Sequence, residues 1–287
     1  MDSTENSGRE RTHRDDHENS GSAEAFSEKT SEILELIAIG RPAEEIYNAI
    51  ALMYEERHPG MRCSMLELEG NTLLHGGAPS LPEAYCEAVH GLEIGPNVGS
   101  CGTSTYTGER CLVENIETDT KWESIKHHAL PHGLRCCWSE PIKSSTAQVL
   151  GAFGMYYDHP ALPTPAELEA LASAARRAGI VMERDRDQKS IRRLAFTDEL
   201  TGLANRAHFY KEMEKLIKVS QRYQREFGLL YLDLDDFKGI NDSLGHDVGD
   251  LLLQEIAARL KGLCRETDFV ARLSGDEFCV IVENLDD

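Results

Sequence analysis

Three carboxylates follow directly on an apolar run in Gly228-Leu-Leu-Tyr-Leu-Asp-Leu-Asp-Asp-Phe-Lys238. The run Gly228–Leu232 reads as a continuous, fully buried strand. Asp233, Asp235 and Asp236 then stand at its carboxyl end, where ligands of open α/β sheets gather. A period of two puts Asp233 and Asp235 on one face and Asp236 on the other. A carboxylate at the end of a buried strand is costly unless a cation meets it. Mg²⁺ takes such oxygen ligands and commonly shares them with substrate phosphates. The plainer reading is that these acids open a solvated turn. A second acidic pair favours the cation: Ser274-Gly-Asp-Glu277 forms a tight turn after the strand that holds Phe269-Val-Ala271. Two acids at its tip, behind small residues, would let a phosphate or a purine lie against the backbone. Together with Asp233, Glu277 would complete a metal clamp, and phosphoryl transfer is chiefly positioning and charge neutralisation.

Other chemistry-bearing residues cluster in the first half. His127, His128, His132, Cys136 and Cys137 lie close in sequence, and His128, His132 and Cys136 step by four, which on one helix would align three metal ligands. Pro131 and Gly133 interrupt any such helix, so packing and turn roles are expected. Cys101 sits in Gly99-Ser-Cys-Gly102, read as a flexible glycine loop. A helix N-terminus nearby would lower its pKa and suit it to redox sensing; the alternative is a buried structural thiol. None of the eight cysteines forms a Cys-x-x-Cys pair. Most are expected to be reduced, buried and inert.

The elements that must position these groups fit into 287 residues, room for about two domains. Acids outnumber bases 50 to 30, for a net charge of −20. That excludes a general nucleic-acid binder and disfavours an anionic membrane surface. The N-terminus lacks the apolar core of a signal peptide and no apolar stretch reaches membrane-spanning length, so a cytoplasmic location is expected. Residues 1–27 read as a disordered tail. Two short helices follow, broken at Gly40-Arg41-Pro42, then a strand over Cys63–Glu69 turning at Gly70-Asn71 into a return strand. Strands are further expected at Glu109–Glu114, Cys136–Ile142 and Val149–Tyr157. Thr164, Pro165 and Glu167 open a helix as N-cap, N1 and N3. Its Leu168, Leu171, Ala175, Ala178 and Met182 are spaced as a coiled-coil seam, which fades at Asp185 and resumes with Ile191 and Leu194. This suggests a parallel dimer helix, against the simpler alternative of a packed terminal helix. The second half reads as α/β: helices over Phe209–Val219 and Leu251–Leu263, and strands over Asp268–Leu273 and Phe278–Val282.

The segments Phe196-Thr-Asp-Glu-Leu-Thr-Gly-Leu-Ala-Asn-Arg206, Asp233-Leu-Asp-Asp-Phe-Lys-Gly-Ile-Asn-Asp-Ser-Leu-Gly-His-Asp-Val-Gly-Asp250 and Arg272-Leu-Ser-Gly-Asp-Glu-Phe278 resemble the GGDEF family, the diguanylate cyclases, over residues 194–287. The resemblance implies that Asp233, the Leu234 carbonyl and Glu277 hold Mg²⁺, with Mn²⁺ as an alternative. It implies that Asn241 and Asp250 bind the guanine edge, that Phe237 and Lys238 line the phosphate end, and that Gly275 lets the turn approach the nucleotide. Asp276 would stand by the attacking ribose hydroxyl as general base or second metal ligand, making Asp276 and Glu277 the catalytic pair. Arg265 and Asp268 match the family's product-inhibition site, where a guanidinium offers bidentate donors and a carboxylate accepts from guanine. The signature begins with Ser274 where the family most often has Gly, which places a Cβ in a turn expected to need positive φ. The chain ends soon after Phe278, where family members continue, so it resembles a fragment.

Asn97-Val-Gly-Ser-Cys-Gly-Thr-Ser-Thr-Tyr-Thr-Gly-Glu-Arg110, Val113-Glu-Asn-Ile-Glu-Thr-Asp119, His132-Gly-Leu-Arg-Cys-Cys-Trp-Ser-Glu-Pro-Ile142 and Leu150-Gly-Ala-Phe-Gly-Met-Tyr156 resemble a GAF sensor domain over residues 28–184. The pattern leaves its ligand unnamed. The expectation is an α/β chain: an α+β sensor, a helical linker over 185–193 and an α/β nucleotidyl-cyclase-like domain. It would condense two GTP into cyclic di-GMP as a homodimer joined through the linker helix. The alternative is a non-catalytic GTP- or cyclic di-GMP-binding module that regulates a downstream domain such as a cyclic di-GMP phosphodiesterase.

Overall fold

A computed structural model describes residues 26–283. The expected disordered tail, 1–27, lies outside the described residues except for Phe26 and Ser27. These two open helix α1 (residues 26–38), and Phe26 packs edge-on against Tyr54. The chain divides into two compact units, Met1–Asp185 and Arg186–Asp287.

The first unit is built on a six-stranded antiparallel sheet. Its strands are β1 (Arg62–Glu69), β2 (Thr72–Gly77), β3 (Leu92–Glu93), β4 (Cys111–Val113), β5 (Cys136–Lys143) and β6 (Val149–Tyr157), in the spatial order β3-β2-β1-β6-β5-β4. Strand alternation separates two cores. Cys63, Met65, Phe153 and Met155 face one side, under α1, α2 (Ala43–Arg57) and the first half of α6 (Pro165–Phe196). Leu66, Cys137, Ala152 and Tyr156 face the other, against α3 (Glu83–Val89), α4 (Gly99–Thr107) and the segment holding Trp122, Ile125 and α5 (Lys126–Ala129). The same alternation sends Cys136 and Cys137 to opposite faces, so the His/Cys run cannot converge on one ion. Cys101 is not on a flexible loop: it lies buried in the first turn of α4.

Helix α6 opens on the expected capping box. The Thr164 amide donates to Glu167 Oε2 at 2.8 Å and the Glu167 amide to Thr164 Oγ1 at 3.3 Å. Thr164→Ala is expected to destabilise the first unit by about 1 kcal/mol. Both tryptophans lie in that unit, so urea unfolding followed by their emission reports it selectively. The expected dimer seam requires correction. Leu171, Ala175, Ala178 and Met182 are buried in the unit's own core, because this stretch covers its sheet. The apolar residues that α6 leaves exposed are Ile180, Ile191 and Leu194. Among the described residues no helix is long and apolar enough to cross a membrane.

The second unit has a three-stranded antiparallel sheet in the order β7 (Phe227–Leu232), β9 (Glu277–Glu283), β8 (Phe269–Ser274). Helix α9 (His246–Leu263) packs Leu253 and Ala257 on one face with Phe278. On the other, α7 (Arg206–Tyr223) packs Phe209 with Ala271, Cys279 and Ile281. A short helix, α8 (Phe237–Leu244), precedes α9 and was not expected from the sequence. The run Gly228–Leu232 is not fully buried: Leu229, Leu230 and Tyr231 are 51%, 49% and 57% exposed. The cause is topological, since β7 pairs only with β9 among the described strands and the helices centre on β8 and β9.

Candidate active site

Register brings the two acidic segments together. Strands β7 and β9 pair antiparallel with Leu232 opposite Phe278. The next pair outward is therefore Asp233 and Glu277. Strand β7 ends at Leu232, so Asp233 lies just past it and Asp235 and Asp236 occupy a turn. The expected strand-like facing of Asp235 and Asp236 does not apply there. Asp236 takes a left-handed conformation, φ +55°, which starts α8.

Like charges directly opposite on adjacent strands repel. Among the described residues no lysine or arginine forms an ion pair with Asp233 or Glu277. Glu277 is nevertheless held below the ordinary carboxylate range, first by the Ser274 hydroxyl and then by that of Tyr231. Tyr231 is pushed up to about 12, chiefly by the same hydrogen bond to Glu277. The two carboxylates and the Leu234 carbonyl near this strand end offer oxygen donors only, the kind that suits Mg²⁺. No group of three or more His, Cys, Asp or Glu side chains converges among the described residues, so remaining ligands would have to come from elsewhere.

The signature turn is tighter than its sequence suggests. Ser274 pairs with Glu277, leaving only Gly275 and Asp276 between the strands. Positive φ falls on Gly275, at +48°, and not on Ser274. Glycine at the first central position is what a type II′ hairpin requires. Ser274 is thus an ordinary strand residue, and its Cβ meets no conformational penalty.

Arg272 fixes this turn from below. Its Nε donates to the Gly275 carbonyl at 2.8 Å and its guanidinium to Asp198 Oδ1 at 3.0 Å. Asp198 in turn accepts from the Thr201 amide and hydroxyl at 2.9 and 2.6 Å. Burial alone would raise the Asp198 carboxyl, but Thr201 and then Arg272 hold it below its ordinary value. The backbone continues the same link, the Arg272 amide donating to the Ala204 carbonyl at 2.9 Å. The sequence reading gave Asp198 and Arg272 no role. The local signal was the Asp-x-x-Thr-Gly turn pattern, but its partner is 74 residues away.

Asn241 and Asp250 come together at the α8–α9 hairpin. Gly249, beside Asp250, lies so near Asn241 that a Cβ there would stand 2.0 Å from Asn241 Oδ1. That Oδ1 is buried without a hydrogen-bond partner, while Asp250 is exposed. An orphaned buried acceptor is costly and calls for a donor. Phe237 is half-buried in the α9 core, whereas Lys238 is exposed. Arg265 and Asp268 lie elsewhere, at the opposite end of β8 from the turn, about 20 Å away along the strand. There the Arg265 amide donates to Asp268 Oδ2 at 2.8 Å and the Asp268 amide to the Arg265 carbonyl at 3.0 Å. Asp268 Oδ1 is buried and unpartnered.

Residues 195–287 match the family model described as diguanylate cyclase, GGDEF domain, and residues 43–183 match the GAF domain model. A methyl sulfide methyltransferase-associated sensor of Methanosarcina acetivorans is 36% identical over 163 residues, 56% of this chain and 16% of that protein. The cyclic di-GMP phosphodiesterase NbdA of Pseudomonas aeruginosa is 31% identical over 185 residues, 64% of this chain and 22% of NbdA. The diguanylate cyclase TpbB of the same species is 41% identical over 99 residues, 34% of this chain and 23% of TpbB. A crystal structure of the coiled coil and GGDEF domain of DgcB from Caulobacter crescentus, in complex with c-di-GMP, is 32% identical, covering 42% of this chain and 61% of that one, with a TM-score of 0.36. The chain spans less than a quarter of the length of these three curated relatives. It carries a GAF domain over residues 43–183 followed, over residues 195–287, by a GGDEF domain of the diguanylate cyclase family.

Proposed function

We propose that this protein is a diguanylate cyclase that condenses two GTP into cyclic di-GMP and pyrophosphate under control of its GAF domain. The observation that carries the reading is the register, which sets Asp233 just past β7 next to Glu277 of β9 and beside the Gly275-Asp276 turn, with no ion pair to either among the described residues. Asp233, the Leu234 carbonyl and Glu277 would hold Mg²⁺, which when bound neutralises charge on the triphosphate. The orphaned Asn241 Oδ1 accepts from a guanine N–H, with Asp250 beside it as a second acceptor. Gly275 keeps the turn free of side-chain bulk. Asp276, at the turn's tip, takes the proton of the attacking ribose hydroxyl. Lys238, exposed in the first turn of α8, attracts the phosphates. Arg265 and Asp268, remote from the turn, bind product rather than substrate. Two subunits must present one nucleotide each, and the exposed Ile191 and Leu194 of the linker helix are available to join them.

In the test, the intact protein is incubated with GTP and Mg²⁺ and its nucleotides are separated by chromatography. Cyclic di-GMP and pyrophosphate are expected, and their absence would overturn the assignment. Asn241→Ala is expected to raise the KM for GTP about tenfold, the loss of one well-placed hydrogen bond. A second reading is a GGDEF module that binds nucleotide without turnover and regulates a downstream domain. It draws support from NbdA, the phosphodiesterase that aligns with 64% of this chain. That reading predicts guanine nucleotide binding with no condensation.

A further inference from the structure

The GAF domain contains a buried polar cluster that the proposed cyclase chemistry does not use. Ser64, Gly154 and Ser139 stand side by side on β1, β6 and β5. Gly154 has no side chain, and the Cys101 sulfur fills the gap: a Cβ on Gly154 would meet Cys101 Sγ and Ser64 Oγ, each at 2.9 Å. Around this sulfur lie the Tyr156 hydroxyl, 3.8 Å away, and the Ser64 hydroxyl, itself 3.4 Å from Tyr156. Tyr85 donates to Tyr156 at 3.5 Å. Ser139 Oγ, on the same rung, is fully buried and without a hydrogen-bond partner. Cys137, opposite Tyr156 in the ladder, is buried in the same core as Cys101, and the Ser100 hydroxyl donates to its carbonyl at 2.9 Å, which sets Cys137 beside the first turn of α4.

Three hydroxyls, of Ser64, Ser139 and Tyr156, thus surround one sulfur in a buried site, each able to donate to it, and donors of this kind favour an anionic sulfur over a neutral one. Position adds to this, because Cys101 is in the first turn of α4, where the helix dipole favours negative charge. The neighbouring Cys137 thiol, followed by the Ser139, Tyr156 and Ser64 hydroxyls, outweighs burial and holds the Cys101 thiol below its ordinary value. Its neighbours move the other way: burial pushes Cys137 well up, and Cys111 and Cys136 up to about 11. Cys101 also lines a cavity of about 30 Å³ walled by Leu66, Leu73, Tyr85, Trp122 and Ile125. That is room for about two water-sized molecules.

We propose that this cluster is a modification site at which hydrogen peroxide oxidises Cys101, with Cys137 as the resolving thiol. The Cys101 thiolate attacks one peroxide oxygen, the O–O bond breaks, and hydroxide leaves, giving a sulfenic acid. The Cys137 sulfur then attacks the Cys101 sulfur. Its proton and the departing hydroxyl leave as water, and a Cys101–Cys137 disulfide forms. In sum, two thiols and one peroxide give one disulfide and two waters. The Ser64, Ser139 and Tyr156 hydroxyls hold the charge on sulfur before attack. The disulfide would tie α4 to β5.

The test uses the whole chain, exposed to hydrogen peroxide in the native state. It is then quenched, denatured in a thiol-blocking reagent, digested and mapped by mass spectrometry. The expected product is a Cys101–Cys137 disulfide, formed faster than any oxidation of Cys111 or Cys136. Its rate should fall as pH is lowered and the thiolate is protonated. In Cys137→Ser, Cys101 should instead accumulate as sulfinic and sulfonic acids. Free Cys101 and Cys137 after treatment, a disulfide from Cys101 to another cysteine, or a Cys101 that stays reduced in Cys137→Ser would overturn the proposal. The wild-type map needs no variant to fold, and it is read independently of GTP turnover.

Discussion

Glu277→Gln is expected to lower kcat for cyclic di-GMP formation by a factor of about 10³ or more, while leaving the fold intact. Glutamine has nearly the same shape and still accepts from Ser274 and Tyr231, so the turn keeps its hydrogen bonds. It lacks the charge that the register sets next to Asp233, one residue past the last β7–β9 pair. Without that charge the strand end loses half of its attraction for a divalent cation, and a lost charge-stabilising group at a phosphoryl-transfer centre costs several kcal/mol of barrier. The substitution leaves Asn241 and Asp250, the groups proposed for guanine, untouched, so the KM effect is expected to be small beside the kcat effect. Because hydroxyl donors hold Glu277 below its ordinary value, it stays ionised throughout the neutral range. The pH profile should then be flat with respect to this group above pH 4.5 and fall below it. The assay is initial-rate product formation by the intact protein. An unimpaired variant would remove Glu277 from the mechanism. A wild type that binds GTP but makes no product would move the case to the regulatory reading.

Arg272→Ala is expected to damage both stability and turnover. Its side chain is 11% exposed and joins two groups that do not otherwise meet, the Asp198 carboxylate and the Gly275 carbonyl. Removing one partner of a largely buried ion pair leaves the other desolvated and alone, which costs 3–5 kcal/mol in full burial. Asp198 is 24% exposed, so about 2–3 kcal/mol is expected here. Both tryptophans lie outside this unit, and thermal unfolding followed by far-UV circular dichroism is the suitable measurement. Asp198→Ala combined with Arg272→Ala should be little worse than Arg272→Ala alone, because residues in one network are not additive. Arg272 is a positioning residue: it holds the turn that carries Asp276 and Glu277, and it touches no guanine-binding group. Its loss should therefore lower kcat with KM for GTP nearly unchanged, which a general loss of folded protein would not produce in the remaining folded fraction. The Asp198 carboxyl is held below its unfolded value. Its contribution is present above pH 3.8 and is lost as pH falls through its lower folded value.

The two variants probe different links. Glu277 was legible in the sequence because the acidic turn and the strand-end acids are each compact local patterns. The resemblance carried by residues 196–206, 233–250 and 272–278 then named their family, and the family models match the same part of the chain. The Thr164–Glu167 capping box and the Gly70-Asn71 turn were legible for the same reason, since each is a set of hydrogen bonds or dihedrals within a few residues. Arg272 was not legible as a clamp. Arginine before a hairpin turn has many possible partners, and only the packed unit brings Asp198 to it.

Local pattern by itself marked most of the strands, the longer helices and the two acidic segments, though not α4 or α8, and the resemblances carried by their motifs named the domain families. Tertiary structure decided what each apolar face touches. Leu171, Ala175, Ala178 and Met182 have the spacing of a dimer seam, yet they cover their own sheet. Leu229, Leu230 and Tyr231 look like a buried strand, yet they stand exposed at a sheet edge. Cys101 reads as a loop cysteine because Gly99 and Gly102 flank it, yet it starts a helix inside a nest of hydroxyls drawn from three strands. The physical reason is common to all three. Periodicity records that a residue is apolar and which neighbours share its face, whereas burial and ionisation depend on groups brought from distant parts of the chain.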